Sequence, residues 1–315
     1  MQDPSKIALS QLMEARRKLP ITRRCNSPAH MKTSAGRQAI KRLLESNLRK
    51  AGFDFDAFGD LVKWSGAEAR LRIADLKADA DRMSHAELQA LHRTVGDLNN
   101  RLARFKGIDS SDAPAEFFLL DTASEISSVE ISLDSTHIGP TPENNWARFF
   151  QDASGGDASG QGVVSFGFLW QNPSDKSAVV NIHGYLVFNG FCSVFSNGSF
   201  FSPGGAFLTV LANLAIHELW NDPPTSPPPQ SGQSQTALQL GCDSTGFFEP
   251  GCANGRSLAA GFDLEFDQFM LPPKGTAMFE VSCILDWSLE DGETQSDFSF
   301  GDRRVLSPGV LIAVL

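Results

Sequence analysis

The stretch FEVSCILDW, residues 279–287, decides the fold. Phe279, Val281, Cys283, Leu285 and Trp287 fall on every second position, with Glu280, Ser282 and Asp286 between them. A period of two places one set of side chains on each face of a pleated strand, so this is a strand with one buried face. Three further runs repeat the pattern: Val164-Phe166-Phe168-Trp170, Leu208-Val210-Ala212-Leu214-Ile216 and Phe262-Leu264-Phe266. Weaker runs lie at Phe117–Leu120, Val129–Leu133, Val179–Phe195, Ala237–Leu240 and Val310–Leu315. About eight strands punctuated by Gly, Ser, Pro and Asp predict an antiparallel sandwich or jelly roll. No strand alternates with a helical pattern here, which argues against a parallel α/β sheet. Two segments are expected to be long loops: 151–162 (QDASGGDASGQG) and the proline-rich 221–235 (NDPPTSPPPQSGQSQ).

Upstream the texture is helical. Ser65 with Glu68, and Ser84 with Glu87, have the spacing of capping boxes, in which each side chain satisfies a free backbone N–H. The first predicts a helix to about Met83 and the second a helix to about Lys106. An earlier helix is expected over about Ser34–Lys50, ended by Gly52. In the last helix Leu88, Leu91, Val95, Leu98, Leu102 and Phe105 recur at alternating steps of three and four. That is the seam of a short coiled coil, and these six residues are the candidate oligomerisation positions, with a trimer favoured. The plainer account is an amphipathic helix packed within its own chain, and Gly96 on the outer face weakens the seam by about 1 kcal/mol.

The expected class is therefore α+β, with the helices segregated at the N-terminus. Residues 1–107 form a basic helical oligomerisation or docking region, and residues 108–315 an acidic, Phe-rich β-sandwich domain. The net charge of −10 over 315 residues hides this division. Residues 1–107 hold 21 Lys+Arg against 12 Asp+Glu, a net +9, and the remaining 6 against 25 give −19. Opposite signs on the two parts suggest different surroundings for each. Arg16, Arg17, Lys18, Arg23, Arg24, Arg37, Lys41 and Arg42 are the candidate contacts to nucleic acid or to an acidic partner. No aromatic residue precedes Phe53 to stack on bases, which argues against single-strand recognition.

There are 24 Phe and a single Tyr, Tyr185, a bias toward dry packing over a Tyr-rich binding face. No apolar run approaches the roughly 20 residues needed to span a bilayer. The N-terminal stretch lacks the apolar core of a secretory signal, so cytoplasmic synthesis is expected, with incorporation into an extracellular or viral particle left open. Cys242 and Cys252 flank a loop that can close as a local disulfide, but the odd count of 5 Cys and the missing signal favour free thiols.

Candidate chemistry is sparse. Asp263, Glu265 and Asp267 alternate along one strand face, a spacing that suits the solvated side of an amphipathic strand, a calcium site or the acid and base of a glycosidase. No other cofactor is expected. His183 and His217 fall on the polar phase of their strands and are expected to face solvent. No sequence signature names a catalytic residue. The expectation is a non-enzymatic structural or recognition protein, an oligomeric head on a helical stem that meets a glycan or protein receptor within a viral, phage or secreted assembly. A second reading is an icosahedral capsid subunit whose basic N-terminus faces nucleic acid. A third is a glycan-active hydrolase.

Overall fold

The computed structural model describes residues 46, 67–81, 116–140, 145–196, 204–219, 230–244 and 252–315. Helix α1 (67–81) precedes twelve strands. These are β1 (Glu116–Leu120), β2 (Glu125–Val129), β3 (Leu133–His137), β4 (Trp146–Gly155), β5 (Ala158–Gln171) and β6 (Ala178–Ser196), then β7 (Gly204–Glu218), β8 (Gln230–Ser244), β9 (Cys252–Leu271), β10 (Thr276–Glu290), β11 (Gly292–Asp297) and β12 (Arg304–Val314). They form a seven-stranded sheet, β1-β12-β4-β11-β6-β9 with β3 beside β4, and a five-stranded sheet, β2-β5-β10-β7-β8. Every pairing is antiparallel. From β4 to β7 the chain crosses from one sheet to the other at each connection, and the two sheets share one core. The domain is an antiparallel β-sandwich.

The period-two runs are what fill that core. Val164, Phe166, Phe168 and Trp170 of β5 meet Leu208, Val210, Ala212, Leu214 and Ile216 of β7 through Phe279, Val281, Cys283 and Leu285 of β10. From the other sheet come Val180, Ile182, Leu186 and Phe188 of β6 and Leu264 of β9, with Phe262 and Phe266 packed at the margin. Phe149, Phe166, Phe168, Phe188, Phe279 and Phe298 are all fully buried, which is the use the Phe bias predicts. Each such side chain contributes about 1.5–3 kcal/mol over leaving it in water.

Three expectations from the sequence change. Residues 151–162 are strand rather than loop: 151–155 pair with β11 and 158–162 with β10, and the crossover is confined to Gly156 and Asp157. Ladder bonds require only backbone, and the glycines make room for neighbours, since a Cβ on Gly160 would sit 2.3 Å from the Trp287 ring. The run Val129–Leu133 is not one strand: Val129 ends β2, Leu133 opens β3, and residues 130–132 connect them, with Glu130 at a φ of 57°. The proline-rich segment ends earlier than expected, because 230–235 already belong to β8.

Gly309 supports an irregularity in β12, where the register to β6 shifts between Leu306 and Gly309. Its φ of 142° and a would-be Cβ 2.3 Å from the Leu120 carbonyl oxygen exclude a side chain there. Of the N-terminal expectations, α1 is the described part of the helix that the first capping box predicts. The stripe Leu88 to Phe105 and the basic residues Arg16 to Arg42 lie outside the described residues. Among the described residues no helix is long and apolar enough to cross a membrane.

Candidate functional site

Side chains at even positions of β6 enter the core, so odd positions form the outer face of the seven-stranded sheet. His183 is one of them, and in register it stands opposite Glu265 of β9, while Tyr185 stands opposite Asp263. His183 Nδ1 lies 3.3 Å from Asp263 Oδ1 and 3.6 Å from Glu265 Oε1. The ligand atoms of these three residues all lie within 4.8 Å of one another. The hydrogen bond that the protonated imidazole donates to Asp263 raises the His183 pKa, burial works against it, and the charges of Asp263, Glu265 and Asp267 add to the rise.

Asp267 stands outside the converging group. Val180 pairs with Phe269 but Ile182 with Phe266, so both Asp267 and Gln268 oppose Asn181. Gln268 has a φ of 58°, and its N–H donates to Asn181 Oδ1 at 2.9 Å. This bulge ends the strict alternation two residues after Glu265. The sequence shows Asp263 and Glu265 on one face, but not the histidine that joins them. That residue becomes visible only once β6 is known to pair with β9.

The backbone beneath this cluster is held from the other sheet. Gln235 Nε2 donates to the Asp263 carbonyl at 2.8 Å and to Gln233 Oε1 at 2.7 Å, and the Glu265 N–H donates to Gln233 Oε1 at 3.2 Å. β8 and β9 are the edge strands of their sheets, and two glutamines close one edge against the other. Further along the same edges Cys242 and Cys252 form a disulfide with Cα atoms 5.5 Å apart. The expectation of free thiols at this pair is thereby corrected: the two cysteines face each other across the sheet-to-sheet corner. Cys192 and Cys283 are free and buried, and burial pushes the Cys192 thiol up to about 12 and Cys283 well above its ordinary value.

A second polar group lies on the outer face of the five-stranded sheet. Ser165 Oγ donates to Glu280 Oε1 at 2.8 Å, and His217 Nε2 is 2.8 Å from Glu280 Oε2. The His217 and Glu280 side chains are only 12% and 7% exposed, so the expectation that His217 faces open solvent is also corrected. The polar phase was legible, but the Glu280 partner that buries it was not. Here the carboxylate sits between hydroxyl and imidazole. That order differs from the serine–histidine–carboxylate order of a catalytic triad, in which the imidazole touches the hydroxyl.

A third cluster joins helix to sandwich. Ala69, Ile73, Lys77 and Ala80 share one face of α1, and both alanines are buried. Lys77 Nζ lies 2.7 Å from Asp297 Oδ2, Arg303 Nη1 lies 2.9 Å from the same oxygen, and Arg303 also pairs with Asp81. At the other end Arg70 pairs with Glu293 and stacks 5.1 Å above the Phe195 ring. Burial alone would raise the Asp297 carboxyl. Lys77 and the N–H groups of Ser299 and Phe300 outweigh it and hold the carboxyl at about 2.

No family model matches the chain, and no curated protein matches it. Among solved structures it is similar to a family 35 carbohydrate-binding module from Clostridium thermocellum, with 11% identity, a TM-score of 0.20 and coverage of 62% of this chain and 97% of that one. It is similar also to the structure of infectious bursal disease virus Gt strain, with 12% identity and a TM-score of 0.20, over 66% of this chain and 38% of that one. TmCBM61 in complex with β-1,4-galactotriose gives 12% identity and a TM-score of 0.17, over 58% and 88% of the two chains. At these TM-scores the likenesses carry no argument.

Proposed function

We propose that the chain is a non-enzymatic structural or recognition protein, a β-sandwich head joined to a helical N-terminal segment and working as an oligomeric part of a viral, phage or secreted assembly. The observation that carries this reading is the docking of α1. Its basic and acidic side chains reach Glu293, Asp297 and Arg303 on one end of the seven-stranded sheet, so α1 is anchored to the head. An anchored helix transmits the orientation of a stem to a head. In this reading the stripe Leu88, Leu91, Val95, Leu98, Leu102 and Phe105, which comes after α1 in the sequence, joins three copies. The remaining outer faces and loops of the sandwich meet a glycan or a protein. The charge split favours a second reading, a capsid subunit whose net +9 N-terminal part faces packaged nucleic acid.

The test is the mass of the full-length chain by light scattering, with the 260/280 nm absorbance ratio taken across the peak. A trimer of 34.2 kDa subunits free of nucleic acid is the expected result. Large particles carrying nucleic acid favour the capsid reading. A monomer contradicts both.

A further inference from the structure

We infer that His183, Asp263 and Glu265 form a binding site for a divalent transition metal of the zinc class on the outer face of the seven-stranded sheet. The donor set decides the class. One imidazole nitrogen with two carboxylates suits zinc and its first-row neighbours, whereas calcium takes six to eight oxygen ligands and gains nothing from an imidazole. This revises the all-carboxylate trio that the sequence suggests, because the bulge removes Asp267 from the converging group and the register supplies His183.

The geometry fits that ion. With metal–ligand bonds of about 2.0–2.2 Å, ligand atoms at tetrahedral angles stand roughly 3.3 Å apart. His183 Nδ1 is already 3.3 Å from Asp263 Oδ1 and 3.6 Å from Glu265 Oε1. The remaining separation, within 4.8 Å, closes by rotation of the Glu265 side chain, which is 52% exposed and free of core packing. The three donors come from two hydrogen-bonded strands, and the backbone at both carboxylates is clamped by Gln233 and Gln235. A site built on paired strands holds its ligands more closely than a loop would. The fourth position opens to solvent, where a water or a donor atom of a bound partner completes the shell. Asp267 stays near enough to add negative field without ligating.

The experiment is zinc titration by calorimetry of the untagged full-length chain, stripped with chelator and exchanged into a non-chelating buffer. Binding of one zinc per chain is expected, weakened roughly tenfold or more in His183→Ala and in the Asp263→Asn, Glu265→Gln double variant. The variants change exposed side chains, and equal melting temperatures without metal would verify that they fold. Cobalt added to the unmodified chain provides a second readout: visible absorption of a four-coordinate nitrogen–oxygen site that zinc abolishes. No binding by the unmodified chain, binding that survives both variants, or calcium binding as tight as zinc and indifferent to His183→Ala would each overturn the proposal.

Discussion

Asp297 is only 2% exposed yet keeps its charge, because three kinds of donor reach it at once. Lys77 comes from the helix, Arg303 from the segment before β12, and the N–H groups of Ser299 and Phe300 from its own turn. Its folded pKa of about 2 lies below the ordinary 3.8, so this carboxylate contributes stability above the ordinary value and loses it as the pH falls toward 2. The difference amounts to about 2 kcal/mol. Denaturant unfolding of the wild type and Asp297→Asn between about pH 6 and about pH 2 is expected to show that much extra acid loss in the wild type alone. At neutral pH the same variant is expected to cost about 3 kcal/mol, since it leaves Arg303 buried beside a neutral amide. A gap between the two proteins that stays constant with pH would contradict the assignment. None of this was legible in the chain: Lys77, Asp81, Asp297 and Arg303 are ordinary charged residues until the fold brings them together. The meeting of Ser165, Glu280 and His217 was hidden for the same reason, as the three are distant in sequence.

At the scale of elements the alternation of apolar residues carried most of the information. All four strong runs are strands with the expected phase inward, because period two is a direct consequence of the pleat. Composition misled where backbone pairing did not need apolar side chains. The Gly- and Ser-rich residues 151–162 are strand because their neighbours, Trp287 among them, supply the bulk. The β8–β9 corner was hidden too, since two edge strands from different sheets leave no local pattern of their own. There Cys242 and Cys252 close a loop of ten-residue separation. Chain-entropy arguments assign such a link about 3 kcal/mol. Replacing both cysteines by serine is expected to lower the unfolding free energy by about that amount, measured by denaturant titration without reductant. An unchanged midpoint, or free-thiol titration finding both cysteines reduced, would contradict the bond.

For the whole molecule the sandwich was visible in the texture of the sequence, but the contact that α1 makes with it was not, because the ion pairs there run in both directions: Arg70 and Lys77 of the helix meet Glu293 and Asp297, and Asp81 meets Arg303. Helix α1 lies on the sheet through two buried alanines, so its apolar contact is thin and its placement rests on Arg70, Lys77 and Asp81. A helix of this length is marginal alone in water, which makes its order a direct report on docking. The most direct test is amide hydrogen exchange over residues 67–81 in the full-length chain and in Asp297→Asn. Docking predicts slow exchange in α1 of the unmodified chain, with protection lost in the variant while β5, β7 and β10 stay protected. Fast exchange of α1 in the unmodified chain, or protection indifferent to the loss of Asp297, would contradict an anchored stem and with it the proposed function.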